Sequence, residues 1–96
     1  MARAAIHPGE ILADEIEELG ITVASLARAI RVPSRRLSGI IDCKGAITAE
    51  MALRLGYWFG TEPELWLNLQ KQYELRVAEQ EVGREIRETI TPRPIE

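Results

Sequence analysis

The stretch Thr22 to Lys44, TVASLARAIRVPSRRLSGIIDCK, decides how this chain folds. Thr22 is a good N-cap, and Leu26, Ala27 and Ile30 follow it at helical spacing, so a short helix is expected to run to Arg31-Val32-Pro33. Proline cannot continue that helix, yet its fixed φ suits the start of a new one. A second helix therefore begins at Pro33 or Ser34 and buries Leu37, Ile40 and Ile41. Arg35, Arg36, Ser38 and Gly39 are left on its other faces. Two short helices joined by a tight turn need a small residue where they approach and apolar anchors facing inward. Ala27 is that small residue, and Val32, Leu37 and Ile40 fall five, ten and thirteen positions beyond it.

The flanking segments read the same way. Pro8 suits an early helical position, acids crowd the turns after it, Leu12, Ile16 and Leu19 share a face, and Gly20 ends the helix. After a loop from Asp42 to Ala46, Thr48 caps a helix with Met51, Ala52, Leu55 and Phe59 on its apolar face, closed by Gly60. Thr61-Glu62-Pro63-Glu64 has the form of a capping box with Thr61 as N-cap. The helix it opens carries Trp66, Leu69, Tyr73 and Val77 at spacings of three and four and is the longest element. Trp66 and Tyr73 are read as core. Strand alternation and hairpin dipeptides are almost absent. The expected fold is all-α, five helices with the last extended: a single domain over residues 1–80, with its paired helices at 22–44, and a charged extension over 81–96.

The 96 residues leave room for one core, and 46% hydrophobic with 28% charged residues is the make-up of an ordinary globular domain. No apolar run approaches the roughly 20 residues of a membrane span, and the amino terminus lacks the apolar core of a signal peptide, so a cytoplasmic protein is expected. Cys43 is the only cysteine, which rules out an intrachain disulfide, and His7 is the only histidine. Neither has the convergent partners that a metal site, a redox sensor or a catalytic centre needs, so no cofactor, no metal and no enzymatic activity are expected.

The net charge of −3 hides a division along the chain. Residues 1–21 carry Arg3 against Glu10, Asp14, Glu15, Glu17 and Glu18. Residues 22–45 carry Arg28, Arg31, Arg35, Arg36 and Lys44 against Asp42 alone. A positive segment on an acidic protein fits an element that meets DNA on a body that meets something else. In a paired-helix reader the amino-terminal end of the second helix enters the major groove. Ser34, Arg35, Arg36, Ser38 and Gly39 are therefore the candidate reading surface. Arg35 suits a guanine edge and Arg36 either shares that role or binds phosphate, while Thr22, Val23 and Lys44 hold the DNA backbone.

HPGEIL at 7–12, VPSRRLS at 32–38, ITAEMALRL at 47–55 and FGTEPELWLNLQ at 59–70 make the chain resemble the Xre/Cro-like (lambda-repressor-like) helix-turn-helix proteins, and within them the HigA (VapI-like) antitoxins. The last two stretches are the most specific, and the match covers most of the chain. It departs at Val23, where such proteins often have Gln, and at Arg31, where a turn glycine is usual; Arg31 is either left-handed or part of another turn. Asp42-Cys43 replaces a common Asn-Gly, leaving Gly45 to supply the flexible position. Ile16 and Ile41 stand where relatives often pair Arg with Glu, a swap that a core accommodates.

The resemblance implies an autorepressor of its own operon that also binds a HigB-like, messenger-RNA-cleaving toxin. The acidic face of the first helix, Glu10, Asp14, Glu15, Glu17 and Glu18, is the candidate toxin surface, since an RNA-binding partner is cationic. Leu65, Leu67 and Leu75 lie off the main stripe of the last helix, so a homodimer on an inverted repeat of double-stranded operator DNA is expected. Two other readings fit the same residues: a helical interaction adaptor that does not bind DNA, and an Xre-type regulator without a toxin.

Overall fold

The structure, a computed structural model, describes residues 5–95, and no strand occurs among them. The helices are α1 (Pro8–Leu19), α2 (Val23–Ile30), α3 (Ser34–Ile41), α4 (Ala49–Phe59), α5 (Pro63–Ala78) and α6 (Arg84–Thr89), with a π-helical turn at Glu79–Gly83 between the last two. Backbone angles stay helical through that turn, so α5, the turn and α6 make one extended carboxy-terminal helix. The molecule measures 53 × 26 × 21 Å.

The helix ends follow local chemistry. His7 caps α1: its Nδ1 accepts from the Gly9 N–H at 2.9 Å, and the Glu10 carboxylate accepts from the His7 N–H at 3.2 Å. Thr22 and Ser25 make the reciprocal pair at the start of α2, and Thr48 accepts from the Met51 N–H. Gly20 and Gly60 close α1 and α4 in the left-handed region. Arg31 closes α2 in that same region (φ 64°), and the Val32 N–H donates to the Ala27 carbonyl at 3.0 Å. An arginine there costs on the order of 1–2 kcal/mol that glycine avoids.

Two expected turns differ. After α3 the left-handed residue is Cys43 rather than Gly45; the Lys44 and Gly45 N–H groups both donate to the Gly39 carbonyl, which closes the turn around Cys43. The N-cap of α5 is Glu62, not Thr61. The Thr61 N–H is used by the preceding helix, donating to the Gly56 carbonyl at 2.9 Å, and this holds Thr61 one residue outside the new helix.

The core gathers Leu12 and Ile16 from α1, Leu26, Ala27 and Ile30 from α2, Leu37 and Ile40 from α3, Met51, Ala52 and Leu55 from α4, and Trp66 from α5. Ile41, Phe59, Leu67 and Leu69 are half-buried against it. Tyr73 is also half-buried rather than core, its ring edge-on to buried His7 at 4.7 Å. Leu19 corrects the expected stripe at 51% exposure: α1 packs on α3 and α5, and its last turn lies beyond that contact. Of the three leucines off the main stripe, Leu65 and Leu75 are exposed while Leu67 turns to the core.

Candidate nucleic-acid interface

α3 presents Ser34, Arg35, Ser38 and Gly39 on one side, within about 140° of arc at 100° per residue, opposite buried Leu37 and Ile40. Arg35 is exposed and has no ion pair or hydrogen bond among the described residues. Arg36 lies around the helix from it and is held: its Nη2 donates to the Thr48 hydroxyl at 3.3 Å and sits 3.6 Å from the Glu50 carboxylate. Glu50 also takes Arg54, whose Nε donates at 3.0 Å and whose Nη2 lies at 2.9 Å. That hydrogen bond first, and the charges of Arg36 and Arg54 after it, hold the Glu50 carboxyl below the usual carboxylate range. The network is thus intact at neutral pH and is lost only as pH falls through that lowered value.

Arg54 reaches further, its Nη1 donating to the Ile30 carbonyl at 2.8 Å and to that of Arg31 at 3.4 Å. It pins the left-handed turn between α2 and α3 to α4. At the other end of α2, the Ser25 and Leu26 amides are satisfied by Thr22, which leaves those of Val23 and Ala24 pointing out of the helix. The Val23 side chain packs inward, so only its backbone N–H is available at this surface. Lys44 is exposed in the loop behind α3.

Three residues that position this surface escape a reading of the sequence alone. Gly9 lies against the Ile40 carbonyl at the end of α3, where a Cβ would overlap the backbone oxygen. Arg54 is the second. Gln70, on the buried side of α5, accepts from the Ile47 N–H at 2.8 Å and donates to Glu74 at 2.8 Å. Its sequence signal is a polar residue four positions after Trp66 on an apolar stripe. Gln70→Leu leaves the buried Ile47 amide unsatisfied, so chemical denaturation is expected to show a loss of about 1–3 kcal/mol. An unchanged midpoint would mean that the loop carrying Lys44 is held by other contacts.

On α1, Asp14, Glu17 and Glu18 are exposed on one side. Glu10 is engaged in the cap, and Glu15 lies half-buried on the flank, so the acidic face is narrower than the five carboxylates of the sequence. Among the described residues no group of three or more His, Cys, Asp or Glu could hold a metal ion, and no helix is long and apolar enough to cross a membrane.

A buried α2–α3 pair with a left-handed turn, braced by α1, α4 and α5, defines a helix-turn-helix protein. No family model matches the chain. It is 44% identical over 78 residues to virulence-associated protein I of Dichelobacter nodosus, covering 80% of this chain and 72% of that relative. Its structure matches an addiction module antidote protein of a HigA family from Coxiella burnetii with a TM-score of 0.93 at 41% identity, over 95% of this chain and all of that one. It also matches Pseudomonas aeruginosa antitoxin HigA, solved with the higBA promoter, with a TM-score of 0.89 at 42% identity, over 93% of this chain and 98% of that one. The chain belongs to the HigA family of antitoxins.

Proposed function

We propose that the protein is a DNA-binding antitoxin that represses its own operon from the cytoplasm and neutralises a HigB-like toxin by binding rather than by catalysis. Residues 1–80 act as the DNA-binding domain and residues 81–96 as its charged extension. Two copies read the halves of an inverted repeat, with Arg35 on a base edge, Ser34, Ser38 and Gly39 against the groove, and Arg36, Lys44 and the Thr22–Val23 turn on phosphates. The solved complex of Pseudomonas aeruginosa HigA with promoter DNA supports the DNA target.

The observation that carries this reading is the outer side of α3. Gly39 sits inside a helix, where glycine costs roughly 0.5–1 kcal/mol relative to alanine, and a Cβ there would meet nothing within 4 Å. The fold itself has no use for a glycine at that position; a close approach by DNA does. Gly39→Ala is therefore expected to raise thermal stability while weakening binding to promoter DNA. Arg35→Ala is expected to cost about 1–3 kcal/mol of discrimination at one base pair, and Lys44→Ala to lower the salt slope by about one. These are read by fluorescence anisotropy over a salt series on DNA from upstream of the coding sequence. Unchanged affinity and base preference in both Arg35→Ala and Gly39→Ala would remove α3 as the reader and leave the interaction adaptor as the better account.

A further inference from the structure

We propose that Glu50, at the start of α4, is a specificity-determining residue: it keeps Arg36 off the base edges, so that of two adjacent arginines only Arg35 reads sequence. This rests on the DNA-binding reading above and says what divides the labour along α3. At about 100° per residue, Arg36 stands about 60° past Gly39, outside the arc that holds Ser34, Arg35, Ser38 and Gly39. That offset alone does not exclude it from the groove. An arginine stem is long enough to swing back across it, and a free guanidinium beside Arg35 meets the same guanine acceptors.

What holds Arg36 comes from the start of α4. Its Nη2 donates to the Thr48 hydroxyl at 3.3 Å and lies 3.6 Å from one Glu50 oxygen. The other Glu50 oxygen is fixed by Arg54, with Nε at 3.0 Å and Nη2 at 2.9 Å. Arg54 turns its remaining nitrogen to the Ile30 and Arg31 carbonyls. With all three nitrogens engaged, Arg54 anchors the carboxylate to the turn between α2 and α3, so Glu50 does not follow Arg36 toward a ligand. Arg36 keeps Nε and Nη1 without a partner among the described residues, which suits a phosphate oxygen at a fixed place on the flank of α3.

Stability does not account for this tether. The Arg36 and Glu50 side chains are 37% and 57% exposed, and ion pairs so open to water contribute little. Arg54 braces the turn through its own bonds to the two carbonyls, without Arg36. The helix dipole favours an acid in the first turn of α4, yet it asks for no arginine beside it. What the tether changes is where the Arg36 charge is placed. A carboxylate next to the reading surface also repels phosphate, so affinity is lost. Discrimination is gained, because an arginine free to meet any phosphate or base edge tightens binding to every sequence.

Binding of the full chain to promoter DNA and to a random duplex, measured for Glu50→Gln, Arg36→Ala, the double variant and Asp42→Asn, tests the assignment. Glutamine keeps the size of an exposed side chain, and thermal melts check the fold. Glu50→Gln is expected to tighten binding to random DNA more than to the promoter, so that the preference for the promoter falls about fivefold or more. Arg36→Ala is expected to weaken both duplexes alike and to lower the salt slope by about one. In that background Glu50→Gln no longer lowers the preference. Asp42 is exposed at the end of α3 with no guanidinium partner among the described residues, so Asp42→Asn controls for charge alone and is expected to tighten both duplexes alike. Wild-type preference in Glu50→Gln, the same loss of preference when Arg36 is already alanine, or an altered base preference in Arg36→Ala would each overturn the proposal. A wild type that binds promoter and random DNA equally would refute the DNA reading on which it rests, so the two failures are separable.

Discussion

Replacing Gly9 with alanine is expected to lower the melting temperature by roughly 10–20 °C, more than any substitution on the reading surface. A Cβ at position 9 would overlap the carbonyl oxygen of Ile40. The obstacle is backbone at the end of α3, so no rotamer change relieves it, and α1 and α3 must separate. Overfilling a packed interior costs about 1–3 kcal/mol and occasionally more, and each kcal/mol moves Tm by roughly 4–8 °C in a domain of this size. α1 buries Leu12 and Ile16 in the same core as Leu37 and Ile40, so the displacement loosens the seat of α3 as well as the amino terminus. Thermal melts and promoter binding are then expected to fall together, the opposite of the divergence expected for Gly39→Ala. A Gly9→Ala protein that melts like wild type would show that α1 rides on α3 loosely.

The contrast between these two glycines shows what the sequence makes legible. The α2–α3 pair is readable because its signals are local: Thr22 caps, Pro33 restarts, and Leu26, Ala27, Leu37 and Ile40 keep helical spacing. The left-handed turn at Arg31 is readable as one of two possibilities, and the structure selects it. Thr61 misleads because its spacing to Glu64 is that of a capping box, while its amide is already taken by the helix before it. What stays hidden depends on partners far away in the chain. Arg35 and Arg36 are chemically identical neighbours, and only the placement of Thr48 and Glu50 at the start of α4 frees one and tethers the other. Gln70 meets Ile47 across 23 positions. The charged extension is helical to Thr89 and carries the pairs Arg84 with Glu88 and Arg87 with Glu79; the Glu79 side chain lies across Gly83, where a Cβ would collide with it.

Reversing Asp14, Glu17 and Glu18 to lysine together is expected to slow association with the toxin by at least about tenfold at low salt, while the antitoxin itself becomes more stable. The two effects separate because of where these acids sit. Glu10 in the first turn of α1 is explained by the cap it makes with His7. Glu17 and Glu18 have no such account: they occupy the last turn, which contains no basic residue, and a negative charge at that end of a helix is unfavourable by about 0.3–1 kcal/mol. Lysine there removes that cost. Acids kept exposed against the helix dipole are better explained by a cationic partner than by the stability of α1. Stopped-flow association across a salt series is expected to give a slower and flatter salt dependence for the triple variant. Promoter binding is expected to be unchanged or slightly tighter as repulsion from phosphate falls. Wild-type toxin association in a variant that melts higher would show that these carboxylates do not steer the toxin, and would move its docking surface to the extended carboxy-terminal helix.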